Sequence, residues 1–163
     1  NITDQLAALN ALGLVGGAPF DQVLASYYQQ AKAHPLMLNK WLSVQAAAPG
    51  PGALDRVKQL HQHEAFDIKN PNKVYALLLQ FSRNNLQHFH QGDGLAYQFI
   101  AQCVAQLDSI NPQVAARLVS SFNDWRRYDS ERQALMTQEL KILADTPNIS
   151  SDVYEIVTKA LAS

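Results

Sequence analysis

The stretch of sequence that decides the fold is NPQVAARLVSSFNDW, residues 111–125. Asn111 can cap a helix because its side-chain oxygen accepts a hydrogen bond from an orphan backbone amide, and Pro112 suits the first helical position, where no amide is needed. One broad stripe of the stretch is apolar, and the other side is polar. The stripe holds Val114, Ala115, Leu118, Val119, Phe122 and Trp125, and the polar side holds Gln113, Arg117, Ser120 and Asp124. This pattern predicts an amphipathic helix.

The same helical spacing recurs along the chain, and a second Asn-Pro pair, Asn70-Pro71, repeats the capping signal. The recurring apolar runs are Val74, Leu77, Leu78 and Phe81, then Leu95, Phe99, Cys103 and Leu107, then Leu135, Met136, Leu140 and Leu143, and finally Val153, Val157 and Leu161. Short breakers separate the runs, at residues 16–17, 49–52, 91–94, 128–130 and 146–148. No stretch alternates like a strand, so we predict an all-α fold of about nine or ten helices.

Helices joined by short loops pack as antiparallel neighbours, in a compact bundle or in a curved stack of helix pairs. We favour the stack, although no repeat of fixed period is visible in the sequence. The Pro- and Gly-rich residues 49–52 are the candidate boundary between two subdomains. Apolar helical patterns flank them closely on both sides, so we predict a single domain over residues 1–163.

The composition excludes several classes of protein. Of the 163 residues, 47% are hydrophobic and 17% are charged, which is typical of a globular domain with a real core. The net charge of -1 provides no positive field, so neither nucleic acid nor a membrane is expected as a partner. No apolar run of about 18 residues and no secretory signal pattern is present.

The single cysteine, Cys103, cannot form an internal disulfide and lies on an apolar stripe. It predicts a buried, inert thiol in a reducing compartment, and we therefore expect a cytoplasmic protein. The chain begins at Asn1 rather than Met, and we expect it to be a piece of a longer protein.

One short string resembles a zinc-protease motif. In His-Glu-x-x-His, two histidines one helical turn apart bind the metal and the glutamate acts as general base. Residues 63–67 read His-Glu-Ala-Phe-Asp, so Asp67 replaces the second histidine, and the string runs into Lys69-Asn70-Pro71, where a helix is ending. We predict a surface turn here and no metal site.

A second pair of histidines, His88 and His90, is spaced two residues apart and precedes Asp93. In a loop this pair could bind a metal if a third ligand arrived from elsewhere. The structural alternative is that His90 and Asp93 fasten the loop before the next helix, with Asp93 capping that helix and Gly94 easing the turn. The sequence leaves both interpretations open.

Other catalytic patterns are absent from the sequence. There is no Gly-x-Ser-x-Gly elbow, no phosphate-binding glycine loop and no basic partner beside Cys103, and the four glutamates are scattered. The basic residues Arg126, Arg127 and Arg132 alternate with acidic ones, which is typical of a solvated, salt-bridged helix junction. We therefore assign no catalytic residue and no cofactor to this chain.

The best candidate functional surface is the polar side of the helix after Pro112, around Arg117. A guanidinium is always charged, and its fork of donors suits carboxylates. Periodicity alone favours the plainer interpretation, a solvent-facing arginine.

Short strings along the whole chain resemble the C-terminal domain of the bacterial aminopeptidase N family, zinc-dependent exopeptidases that remove residues from peptide N-termini. In chain order, the strings are Asn1-Ile2-Thr3-Asp4 with Leu6-Ala7-Ala8-Leu9, Lys40-Trp41, Asn70-Pro71-Asn72-Lys73, Phe89-His90 with Asp93-Gly94 and Tyr97, Asn111-Pro112-Gln113-Val114-Ala115 with Arg117-Leu118, Arg127-Tyr128-Asp129 with Arg132-Gln133, and Tyr154-Glu155. Each string is weak alone, but their order and spacing together are specific.

The resemblance implies a HEAT- or armadillo-like superhelix of helix pairs that caps an upstream catalytic domain and restricts the entry of peptide substrates. The family's His-Glu-x-x-His, its downstream zinc-binding glutamate and its Gly-x-Met-x-Asn motif belong to that upstream domain, and none occurs in this sequence. The resemblance therefore implies zinc in the parent enzyme, a hydrolase, but no metal ligand and no catalysis in this fragment alone.

Arg117 matches a position where relatives carry an arginine, and the resemblance implies that it faces the catalytic cavity and orients peptide carboxylates or carbonyls. Tyr75 stands where some relatives have a second basic residue, so a lining of two arginines is not expected. The alternative class is a free-standing helical-repeat scaffold that binds another protein on its concave surface. A translation start close to Asn1, with no protease-like region before it, would favour that scaffold.

Overall fold

The computed structural model describes residues 2–162, and every regular element within this range is helical. Asn1 and Ser163 lie outside the described residues. Two of the eleven α-helical segments are continuous through a π turn, so the described residues form ten helices. The predicted all-α fold and helix number are confirmed for this range. None of these helices is both long enough and apolar enough to cross a membrane.

Two compact units make up the chain: the first runs through His88, and the second starts at Phe89. Residues 49–52, the candidate boundary, lie inside the first unit as a loop between two helices. The single-domain organisation of residues 1–163 stays a prediction.

The first unit is built from helices that pack against their neighbours in the chain. They are α1 (Ile2–Gly13), α2 (Ala18–Ala31), α3 (Pro35–Ala47), α4 (Ala53–His61), and a long helix made of α5 (Pro71–Val74), a π turn (Tyr75–Leu79) and α6 (Gln80–Asn84). A short helix, α7 (Leu86–Phe89), follows, and its last residue is the first of the second unit. Helix α2 packs on α1 and α3, and α3 also packs on α4 and on the π turn.

The core of the first unit confirms the apolar stripe predicted for the long helix. Its four members are all fully buried: Val74, Leu77, Leu78 and Phe81. The side-chain oxygen of Asn70 accepts a hydrogen bond from the amide of Asn72 at 3.0 Å, and Pro71 occupies the first turn, so the predicted cap is confirmed. Burying a large apolar side chain contributes about 1.5–3 kcal/mol to folding, which makes this stripe the main support of the helix.

Buried polar groups in the first unit bond to backbone carbonyls. The indole nitrogen of Trp41 donates to the carbonyl of Leu24 at 3.0 Å. The amide nitrogen of Asn85 donates to the carbonyls of Ala46 and Ala48, each at 3.0 Å. The last carbonyls of a helix have no partner within the helix, so Asn85 satisfies the end of α3 from a distant part of the chain.

The second unit contains two antiparallel helix pairs. The elements are α8 (Leu95–Asp108), α9 (Pro112–Val119), two 3-10 turns (Ser120–Phe122 and Trp125–Arg127), α10 (Ser130–Ala144) and α11 (Ser151–Ala162). Helix α8 packs on α9 and α10, and α11 packs on the same two helices. Each helix therefore contacts its partner in the pair and one helix of the other pair.

The helix after Asn111 is shorter than its apolar stripe predicts. Helix α9 ends at Val119 and tightens into a 3-10 turn that buries Phe122. Trp125 lies in a separate 3-10 turn and is only half-buried. Its indole nitrogen donates to the carbonyl of Ala160 at 3.1 Å, so the side chain turns toward α11 instead of continuing the stripe.

The predicted stripe on α8 is wrong at its N-terminal end. Cys103 and Leu107 are buried as expected, but Leu95 is 48% exposed and Phe99 is half-buried. The buried face runs instead through Ala96, Tyr97, Ile100, Ala101 and Val104. This helix carries two overlapping apolar stripes, and packing against α9 and α10 selects one of them.

Candidate functional site

Arg117 lies on the exposed side of α9. The side-chain oxygen of Asn111 accepts a hydrogen bond from the Val114 amide at 3.2 Å, which starts the helix as predicted. The buried side holds Val114, Ala115, Leu118 and Val119. Since Gln113 and Arg117 lie on the opposite side, the polar face predicted from the sequence is confirmed, while the role of Arg117 stays a prediction.

The position of Arg117 along the helix is defined by how α9 ends. The hydroxyl of Ser120 donates to the carbonyl of Arg117 at 2.5 Å, where the helix tightens into the 3-10 turn. A cation in the last turn of a helix interacts favourably with the helix dipole. The guanidinium is therefore carried by a rigid element at a place that suits its charge.

Tyr75 is the first residue of the π turn in the long helix and is half-buried. Its backbone amide donates to the carbonyls of both Pro71 and Asn72. Such π turns are rare and occur mostly as local widenings of α-helices. The sequence gives no sign of this one, because the apolar residues on either side keep helical spacing.

His90, which the sequence analysis considered as a metal ligand or as a residue that fastens a loop, anchors the loop before α8. The ring nitrogen Nδ1 of His90 lies 2.6 Å from the Tyr97 hydroxyl, and the ring stacks on that of Tyr128 at a centroid distance of 3.8 Å. The Nε atom of Arg132 donates to the His90 carbonyl at 2.6 Å. Burial, together with the charge of Arg132, lowers the pKa of His90 to about 4, so the ring is neutral near pH 7.

Asp93 and Gly94 complete this loop in a slightly different way from that predicted. The carboxylate of Asp93 accepts a hydrogen bond from the Leu95 amide at 3.0 Å. The capping position itself belongs to Gly94, whose φ of 72° lies in the left-handed region. The structural alternative for His90 and Asp93 is thus confirmed, with Gly94 rather than Asp93 as the cap residue.

The zinc-protease-like string forms a turn, as predicted. Helix α4 ends at His61, before the string, and the next helix starts at Pro71. The Nδ1 atom of His63 accepts a hydrogen bond from the Ala65 amide at 2.9 Å, and Glu64 accepts one from the Tyr28 hydroxyl at 3.0 Å. Without a helix, the string cannot present two ligands one turn apart.

The other groups considered as metal ligands or nucleophiles have structural surroundings. The Nε2 atom of His88 lies 2.8 Å from the carbonyl oxygen of Pro49. Burial raises the pKa of the Cys103 thiol to about 12, which disfavours the reactive thiolate. Within residues 2–162, no group of three or more His, Cys, Asp or Glu side chains could hold a metal ion.

Members of the basic cluster in the second unit have different partners, and one of them contacts α11. Arg132 forms a salt bridge with Asp129 at 3.2 Å, as the alternation of charges predicts. Arg126 instead donates to the carbonyls of Ala160 and Leu161 at 2.9 and 3.3 Å. The sequence carries no signal for this second role, because the partners are more than 30 residues away.

Comparison with known proteins gives one family for the whole chain. The family model described as "Domain of unknown function (DUF3458_C) ARM repeats" matches residues 1–162. The chain belongs to this family of helical ARM-repeat domains. The match agrees with the predicted stack of helix pairs.

The relatives of this chain include proteins named Aminopeptidase N. The chain is 39% identical over 161 residues to Aminopeptidase N of Caulobacter vibrioides and 38% identical over 162 residues to Aminopeptidase N of Escherichia coli. Each alignment covers 99% of this chain and 19% of the relative. A crystal structure of Legionella pneumophila aminopeptidase A in complex with aspartic acid matches with a TM-score of 0.91 and 41% identity, over 99% of this chain and 19% of that one.

These matches confirm the resemblance drawn from the short strings. The chain corresponds to the C-terminal helical domain of aminopeptidase N-like proteins. It spans only 19% of the length of the curated relatives named above.

Proposed function

We propose that this chain is the helical domain that caps the catalytic domain of a larger zinc aminopeptidase and restricts which peptides reach it. The observation that carries the proposal is the coverage of the alignments, because 99% of this chain matches only 19% of proteins named Aminopeptidase N. A domain that occupies so small a share of an enzyme can shape access to the reaction while its chemistry lies elsewhere.

The residues that the structure describes form no site that fits the zinc of such an enzyme. Among the described residues, no group of His, Cys, Asp and Glu has the composition and proximity of a metal site, and the zinc-protease-like string is a turn. We therefore assign the zinc and the hydrolysis of the peptide bond to the upstream catalytic domain. The chain's own contribution is to bind and orient peptides and to exclude folded ones.

Arg117 is the residue we assign to substrate contact. It is exposed on a capped helix and carries a permanent charge, and the opposite face of that helix is buried. A guanidinium in that position would hold a peptide carboxylate or carbonyl through charge-assisted hydrogen bonds. We place the neutral Tyr75 at a second lining position, where it offers a hydroxyl and an aromatic ring in place of a charge.

We also propose that the protein is cytoplasmic and that this chain is one domain of it. The one cysteine is buried and cannot form a disulfide within this chain, which suits the reducing cytoplasm. We treat residues 1–163 as one domain of the longer protein, with the catalytic domain of the same polypeptide as its partner.

The test compares this chain alone with the longer protein that contains it. Zinc content and the hydrolysis of aminoacyl-arylamides are measured for both. We expect zinc and turnover in the longer protein and neither in the isolated chain. Stoichiometric zinc with turnover in the isolated chain, or a longer protein without aminopeptidase activity, would contradict the proposal.

A further inference from the structure

A cavity in the first unit lies between α1, α3 and the long helix. Its volume is about 370 Å³, which falls within the range of sites that bind small molecules. Several residues that line it are small, so the side chains of the three helices leave this space unfilled. They are Gly13, Ser43, Ala47 and Ala48, and Gln80 lines the cavity from the long helix. The cavity therefore has room for a small ligand.

Much of the cavity wall is apolar. Leu6 and Leu14 line it from α1 and from the residue after that helix, and Val44 and Pro49 line it from α3 and from the loop that follows. Leu14 is 71% exposed although its side chain is large and apolar. An aliphatic chain in the cavity would remove part of this apolar surface from water, which favours binding. The wall therefore suits a ligand with an apolar body.

The charge of the cavity comes from one residue. Among the described residues that line it, only Lys40 is charged, and this residue is exposed. Within residues 2–162, the ammonium group of Lys40 has no hydrogen-bond or ion-pair partner. Because no acidic residue of this range lines the cavity to neutralise it, the ligand that complements Lys40 carries a single negative charge.

The other polar groups of the cavity are few. The Ser43 hydroxyl donates to the carbonyl of Ala76 at 3.1 Å, and the side-chain oxygen of Gln80 accepts a hydrogen bond within its own helix at 2.7 Å. The side chain of Asn10 is exposed and has no hydrogen-bond partner among residues 2–162. One ammonium group and one or two amides suit a carboxylate. A peptide brings a further donor and acceptor with each residue, and this cavity offers too few partners for them.

We infer that this cavity binds an aliphatic monocarboxylate, such as a fatty acid of medium length. The carboxylate accepts a charge-assisted hydrogen bond from the Nζ atom of Lys40, and the chain lies against Val44 and Leu14. A dicarboxylate would bring its second charge against the apolar wall, and an amine would be repelled by the ammonium group. Such binding involves the first unit alone, and it requires neither the aminopeptidase function proposed above nor the role proposed for Arg117.

The first experiment measures binding by calorimetry in the longer protein that contains this chain. The probes are octanoate and octanamide, which have the same aliphatic chain but differ in charge. We expect octanoate to bind at one site, about ten-fold more tightly than octanamide, because only octanoate can pair with an ammonium group. Lys40→Gln should lower the octanoate affinity to that of octanamide and should leave octanamide binding unchanged.

Lys69→Gln is the matched control, because Lys69 is also exposed but does not line the cavity. This variant should bind octanoate as the parent protein does. The inference is overturned if the parent protein does not bind octanoate, if Lys40→Gln leaves octanoate binding unchanged, or if both variants lose it equally. Tighter, Lys40-dependent binding of N-acetylglycylleucine would also overturn it, because the site would then belong to peptides.

The second experiment locates the site in the unaltered longer protein. An aliphatic acid that carries a diazirine at the end of its chain is photo-crosslinked to the protein, and the labelled peptides are identified by mass spectrometry. We expect labelling within residues 6–14 or 40–49, and an excess of octanoate should prevent it. Labelling only at other residues would contradict the inference.

The third experiment fills the cavity. Ala47→Leu places a larger side chain in it and should abolish the labelling, whereas Ala25→Leu, at an exposed position of α2, should keep it. Full labelling of a folded Ala47→Leu variant would show that the acid binds elsewhere. None of these experiments measures turnover, so their results stand even if the longer protein is not an aminopeptidase.

Discussion

The Nδ1 atom of His90 and the hydroxyl oxygen of Tyr97 lie 2.6 Å apart, and both side chains are buried. This hydrogen bond joins the loop before α8 to the first turns of that helix. The polar pair sits among aromatic rings, since Phe89 packs edge-on against Tyr97 at a centroid distance of 5.2 Å and Tyr128 covers the imidazole. The imidazole is thus bound in its neutral form, and charging it opposes folding.

We predict that His90 makes the stability of this chain depend on pH. The pKa of His90 is about 4 in the folded protein, against an ordinary value of 6.5, so the unfolded state binds more protons between these values. The contribution of His90 is complete above pH 6.5 and is lost as the pH falls toward about 4. The free energy of unfolding should fall by roughly 2 kcal/mol over this window, measured by urea denaturation.

His90→Gln should lack this part of the fall, and the exposed control His34→Gln should keep it. Identical pH dependence in all three proteins would contradict the prediction.

Removing the guanidinium of Arg126 should loosen the C-terminal end of α11. Its hydrogen bonds to the carbonyls of Ala160 and Leu161 satisfy groups that have no partner within the helix. Arg126→Ala should lower the free energy of unfolding by about 1–2 kcal/mol and speed amide exchange in the last turns of α11. The neighbouring exposed Arg127 serves as the matched control, and Arg127→Ala should change neither measurement. Equal effects of the two substitutions would show that the cap is not responsible.

A methyl group at Gly94 should destabilise the start of α8. The φ of Gly94 is 72°, and an added Cβ would lie 3.0 Å from the Cδ2 atom of Leu135. We expect Gly94→Ala to cost about 1–2 kcal/mol of unfolding free energy, read from chemical denaturation. Gly92 lies two residues earlier in the same loop, is exposed and has open space except for Arg132 at 3.5 Å. Gly92→Ala should therefore stay within about 0.5 kcal/mol of the parent.

In the longer protein, Arg117→Ala should raise the Michaelis constant for peptides more than that for small chromogenic substrates. A peptide offers carboxylate and carbonyl groups that a guanidinium can bind, whereas an aminoacyl-arylamide is too short to reach it. We expect the Michaelis constant for peptides to increase roughly 3- to 10-fold and kcat to change little. This is the result when a lost contact binds the ground state and the transition state equally well. Arg127→Ala is the control for a change of charge alone. Equal effects of Arg117→Ala on both kinds of substrate would indicate that Arg117 is only a surface residue.

The helices and their starts follow from short-range chemistry and could be predicted. Asn70 and Asn111 accept hydrogen bonds from amides two or three residues ahead, and Pro71 and Pro112 need no donor in the first turn. Capping of this kind involves a few consecutive residues, so it can be predicted from the sequence. The polar face around Arg117 was predictable for the same reason, because helical periodicity alone separates it from the buried stripe.

The predictions from the sequence fail where packing against a second helix determines which side chains are buried or hydrogen-bonded. The buried face of α8 passes through Tyr97 instead of Leu95, because α9 and α10 pack on that side. Trp125 leaves the stripe of α9 because its indole nitrogen bonds to Ala160, 35 residues away. The partners of Arg126 are similarly distant, and a charge pattern cannot reveal them.

By itself, the sequence determined that this chain is helical, where its helices begin, which residues line the polar face of α9, and, through its short strings, the family to which it belongs. Only the tertiary structure decided which of two apolar stripes is buried on α8, which carbonyls Arg126 binds, and that the imidazole of His90 is neutral and enclosed by Tyr97 and Tyr128. The physical reason is the separation along the chain over which each interaction acts. Caps and periodicity act over one or two helical turns, whereas burial and hydrogen bonding in the core join residues that are tens of positions apart.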